Sequence, residues 1–136
     1  MSDLNDLKPK SETIEVTLLH PATDEPITYT DGKSEKPMTI TVYNPWSGGY
    51  KKAIHDQTNK RLMKAQKGKK SNYTAEDLEA GAMELLSKVT VGWDIQLGGE
   101  KPKFTAAKAV QVFTEFPWIR DQIEGALNDT EGFLKA

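Results

Sequence analysis

The stretch MTITVYNPWSGGY, Met38–Tyr50, changes its periodicity half way along. Through Tyr43 apolar and polar residues alternate, with Met38, Ile40 and Val42 on one side, as in a half-buried strand. Asn44–Pro45 is a turn signal, and Ser47 can cap a helix that follows Gly48–Gly49. From Tyr50 the spacing turns helical, with Tyr50, Ile54, Arg61/Leu62 and Ala65 near one face, a thin apolar stripe on a basic helix. A β pattern that gives way to an α pattern at this point predicts an α+β chain.

Upstream, Thr13–Leu19 (TIEVTLL) alternates in the same way. The segment between the two strands, HPATDEPITYTDGKSEKP, carries three prolines and an Asp31–Gly32 pair. An antiparallel β-hairpin with a long turn-rich arm follows, with a short extra strand at Ile27–Tyr29. Residues 1–11 have no period and read as a flexible lead-in.

Downstream, Thr74 is placed to cap a helix with Glu76 and Asp77 in its first turn, where acids favour the helix dipole. Leu78, Ala82, Leu85, Leu86 and Val89 form its stripe. VTVGWDIQLGGEKPK reads as an extended segment ending at Gly98–Gly99. Thr105 is a second N-cap, before Ala109, Val110 and Phe113. Pro117 suits the first turn of a last helix with Ile119, Ile123, Ala126 and Leu127 on its buried side. The expected architecture is one α+β domain over 12–136, with a β-hairpin lobe (12–45) followed by a helical part (46–136) of about four packed helices.

The chain has 136 residues, 37% of them hydrophobic and 28% charged. With a mean hydropathy of −0.61, that describes a polar globular protein of one domain. No apolar run approaches the roughly 20 residues of a membrane span, and the N-terminus does not read as a secretory signal. Cysteine is absent, which excludes disulfides and thiolate chemistry. The net charge of −2 is unevenly spread: residues 51–70 hold eight basic residues and one acid, while both flanks are acidic.

Catalytic patterns are lacking. His20 and His55 are the two histidines, the first at a strand end before Pro21 and the second on the basic helix, and no serine sits in a GxSxG pattern. The acidic pairs lack the spacing of a metal loop, and WSGGYKK lacks that of a phosphate loop. No catalytic, cofactor or metal residue is assigned. The basic stretch, with Lys60, Arg61 and Lys64, could neutralise phosphates. Its single arginine, the lack of interleaved aromatics and the acidic flanks favour a solvated face or a surface for an acidic protein partner over nucleic acid.

FTEFPWIRDQI, Phe113–Ile123, puts three aromatics around a proline. The spacing predicts a packed corner with Phe113, Phe116 and Ile119 inward. Trp118 and Arg120 are left partly exposed for a partner, since Trp and Arg are favoured interface anchors.

Taken in order, VTLLHPATDEPITYTDGKSEKPMTITVYNPWSGGY, the basic helix, AEDLEAGAMELLSKVTVGWDIQL and FTEFPWIRDQIEGALNDTEGFL resemble the tail assembly chaperone family of long-tailed bacteriophages. The likeness covers most of residues 13–134 and consists of short degenerate motifs. It implies a non-enzymatic assembly factor of the infected host cytoplasm, absent from the mature virion. It implies binding to the tape measure protein and recruitment of tail tube protein, and it allows a longer frameshifted form and a homo-oligomer as further partners. The family has no sharp residue motif to carry over. The alternatives are a structural tail or head–tail connector protein, and a nucleic-acid-binding protein acting through residues 51–70.

Overall fold

The computed structural model describes Leu4, residues 12–66 and residues 75–129, without the side chains of residue 61 and residues 64–66. Outside the described residues lie the expected lead-in apart from Leu4, the expected Thr74 cap, and the side chains of Arg61, Lys64 and Ala65.

The junction at Asn44 behaves as its residues dictate. Strand β4 (Thr39–Tyr43) ends where Asn44, fully buried, accepts the N–H of Trp46 on its side-chain oxygen at 2.9 Å and the N–H of Ser47 on its carbonyl at 2.8 Å. Helix α1 (Gly48–Gln66) starts immediately after, with the Ser47 hydroxyl accepting the Tyr50 N–H at 3.2 Å as an N-cap. Gly49 sits against the Tyr43 ring. A Cβ at that position would lie 2.5 Å from the ring, so only glycine lets the helix begin so close to the strand it follows.

Strand β1 (Thr13–Thr17) pairs antiparallel with β4, Val16 opposite Ile40 and Ile14 opposite Val42. The arm between them folds into a ribbon of its own, β2 (Thr28–Asp31) with β3 (Ser34–Pro37). The extra strand expected at Ile27–Tyr29 thus starts at Thr28, and its partner lies in what was read as turn. The cause is the two-residue loop Gly32–Lys33 with Gly32 at φ 65, the pattern of a tight hairpin turn.

After helix α2 (Ala75–Val89) the extended segment becomes β5 (Thr90–Asp94), which pairs antiparallel with β4 through Thr39–Asp94 and Thr41–Gly92. The sheet order is β1-β4-β5, so the extended segment within the part 46–136 supplies one edge of the sheet. Helices α3 (Ala106–Glu115) and α4 (Pro117–Leu127) complete the fold. Thr105 caps α3 by accepting the Lys108 N–H at 3.1 Å, and Pro117 opens α4. The chain is α+β, with antiparallel strands and helices α1 to α4, as expected.

One core joins sheet and helices: Val16, Ile40 and Val42 from the strands meet Met83, Leu86 and Val89 of α2, Val112 and Phe113 of α3, and Ile119 and Ile123 of α4. Two expected stripes are corrected. In α1 it is Ala53 that is buried, while Ile54 and Leu62 are exposed, because α1 meets α2 through Gln57, whose amide donates to the Gly81 carbonyl at 2.6 Å. In α2 Leu78 is exposed, since residues 75–80 all stand clear of the core. No helix among the described residues is long and apolar enough to cross a membrane.

Candidate partner-binding site

The α3–α4 corner is built around two backbone hydrogen bonds at Phe116: its N–H donates to the Val112 carbonyl at 2.9 Å, and its carbonyl accepts the Ile119 N–H at 2.9 Å. This closes one helix and opens the next within a single residue. Phe113 and Ile119 are buried; Phe116 and Trp118 are half-buried and pack edge-to-face, ring centroids 6.3 Å apart at 72°.

Beside these rings lies an open apolar cavity of about 200 Å³. Its walls come from Phe116 and Trp118 on one side and from Leu18, Ile27, Met38 and Leu97 on the other. Leu18, Ile27 and Met38 are locked together by backbone bonds: Leu18 N–H to Met38 O at 2.9 Å, Ile27 N–H to Leu18 O at 2.9 Å and Met38 N–H to Ile27 O at 2.8 Å. The base of the ribbon is therefore a fixed wall, and the cavity is preformed. Its size suits one bulky apolar side chain, since apolar cavities of roughly 150 Å³ already hold a benzene ring.

The residues singled out in the sequence do not form one patch. Arg120 is partly exposed, as expected, but pinned: its Nε donates to Glu124 at 3.1 Å and its Nη1 lies 3.7 Å from Glu79, tying α4 to α2. Lys60 is exposed on α1 and donates to Glu84 of α2 at 2.9 Å. That hydrogen bond, more than the added charge of Lys88, holds the Glu84 carboxyl below its ordinary value. Trp118 alone of the described candidates reaches the cavity.

The walls at the base of the ribbon were not assigned from the sequence, because nothing in the arm's turn-rich composition says which of its apolar residues will face a helix corner so far along the chain. A second cluster also escaped notice. The Tyr29 hydroxyl donates to Asp94 at 2.7 Å, and Lys101 lies 3.4 Å from the same oxygen with its Nζ 4.4 Å from the centre of the Tyr29 ring. The Tyr29 hydrogen bond and then Lys101 hold the Asp94 carboxyl below its ordinary value. This cluster fastens the ribbon to β5 next to the cavity.

The histidines stay apart: His20 Nδ1 accepts the Ala22 N–H at 3.1 Å within its turn, and His55 is exposed on α1. Among the described residues no group of three or more His, Asp or Glu is gathered as a metal site requires. No family model matches the chain, and neither does any curated protein or solved structure.

Proposed function

We propose that the protein is a tail assembly chaperone of a long-tailed bacteriophage, a non-enzymatic factor of the host cytoplasm that leaves before the virion matures. It binds the tape measure protein, keeps it from aggregating and helps recruit tail tube protein. The reading starts from the segment-by-segment resemblance of the sequence. The observation that supports it is the preformed apolar cavity at the α3–α4 corner, walled by Phe116 and Trp118 of the stretch on which the resemblance leans.

A long tape measure exposes repeated apolar side chains. A cavity that takes one such side chain at a time gives weak, repeatable contacts, which suit a chaperone better than a single tight interface does. Co-expression with the tape measure protein tests this. Co-purification and a gain in its solubility are expected; their absence would count against the reading.

The projecting ribbon favours a second reading, a structural tail or head–tail connector protein. All of β2 and β3 except Tyr29 is exposed, as an arm that reaches a neighbouring subunit would be. Mass spectrometry of purified particles separates the two: a stoichiometric component supports the structural role, and absence supports the chaperone.

A further inference from the structure

We propose that the outer edge of β1 is a docking site for an extended polypeptide segment that places a basic residue opposite Glu15. This site is separate from the α3–α4 cavity and does not rest on the chaperone reading.

The argument begins with the parity of the ladder. Asn44 N–H donates to Glu12 O at 2.7 Å and Leu18 N–H donates to Met38 O at 2.9 Å, one pair at each end of the β1–β4 pairing. Residues 12, 14, 16 and 18 therefore hydrogen-bond toward β4, and Glu15 and Thr17 turn their N–H and C=O groups the other way. Among the described residues β1 has no strand neighbour on that side, because it ends the order β1-β4-β5. Both residues are exposed.

Leu19, next in the same outward row, shows how such groups are met. The Gln122 side-chain amide accepts the Leu19 N–H at 2.8 Å and donates to the Leu19 carbonyl at 2.7 Å. One amide thus stands in for one residue of an added strand, and it reaches Leu19 alone. Among the described residues no hydrogen-bond partner does the same for Glu15 or Thr17.

An occupant must bring unspent backbone donors and acceptors at strand spacing. A helix has already used its own, so the occupant is extended. The Glu15 side chain selects further. Its neighbour across β4 is the neutral Thr41, and no ion pair among the described residues involves it. A lysine or arginine directly opposite is favoured. A second copy paired with Glu15 facing Glu15 is disfavoured by the same rule.

Amide hydrogen exchange on the full chain, read by NMR, tests the proposal with two capped pentapeptides, Thr-Val-Lys-Val-Thr and Thr-Val-Glu-Val-Thr. The lysine peptide is expected to slow exchange at Glu15 and Thr17, and to bind about tenfold more tightly than the glutamate peptide. Thr17→Pro, which removes an outward N–H and no bond to β4, should abolish binding while Ile14 and Val16 stay protected. Should that variant fail to fold, Glu15→Lys decides, since it must reverse the peptide preference. The proposal is overturned if neither peptide alters exchange at Glu15 and Thr17, or if a folded Thr17→Pro binds as well as the parent. It is also overturned if those amides are already protected in the free protein and lose protection on dilution, which would assign the edge to a second copy.

Discussion

Gln122 and Leu19 lie 103 residues apart in the chain, yet a single side-chain amide closes both backbone polar groups of Leu19, at 2.8 and 2.7 Å. Helix α4 is thereby stitched to the end of the sheet by a hydrogen-bond pair of strand type. Gln122→Leu keeps the bulk and leaves the Leu19 N–H and C=O without their partner. A loss of about 1–3 kcal/mol is expected from chemical denaturation. Gln122→Glu, which keeps an acceptor and loses the donor, should fall between.

Two neighbouring glycines should respond in opposite ways. Gly49→Ala drives a methyl into the Tyr43 ring, and with the ring half-buried a loss of about 1–3 kcal/mol is expected. Gly48 has nothing within 4 Å of an added Cβ, so Gly48→Ala should be neutral or stabilise the helix start by up to about 1 kcal/mol. Thermal melts of the two variants check both signs.

At the corner, Phe113→Ala should cost about 3–5 kcal/mol and Ile119→Ala about 2–5 kcal/mol, because each opens a void in the core. Trp118→Ala widens a cavity that is already open to solvent. It should leave the fold nearly intact and, on the proposed function, weaken co-purification of the tape measure protein. A Trp118→Ala chain that unfolds, with its surviving fraction binding unchanged, would reduce the corner to core packing.

Asp94 makes stability depend on pH on the acid side. Its folded pKa lies below its ordinary value of 3.8, first through the Tyr29 hydroxyl and then through Lys101, with burial opposing. A depressed carboxylate stabilises the fold above its unfolded pKa, and that contribution fades as pH falls through the folded value. Asp94→Asn and Tyr29→Phe should therefore both flatten the loss of stability below about pH 4. The group is half-buried and screened by solvent, so the effect is small and is best read as a change in slope between matched melts.

The sequence made the element types legible wherever one residue pattern settled them locally. Alternation marked β1 and β4, Ser47 and Thr105 marked helix starts, and Pro117 marked the turn into α4. What it left open was set by distant partners. Leu78 and Ile54 have the spacing of buried residues, yet Leu78 sits on a turn of α2 that stands clear of the core, and in α1 it is the neighbouring Ala53 that faces inward. Nothing near Gln122 or Arg120 in the chain announces their partners Leu19 and Glu79, which only the fold brings to them. The cavity was half legible: the FTEFPWIRDQI stretch gave its aromatic wall, and the ribbon base opposite it exists only once β1 and β4 have paired.

The central strand of the sheet has partners of unequal age. β1 precedes β4 in the chain, whereas Asp94, which pairs with Thr39, follows it by 55 residues. At a ribosomal pace of roughly 5–20 residues per second, about 3–10 s pass between the emergence of β4 and that of β5. During that interval α1 and α2 emerge, while the edge of β4 that β5 will take stays uncovered. A general chaperone would find that edge during synthesis, until β5 arrives to cover it.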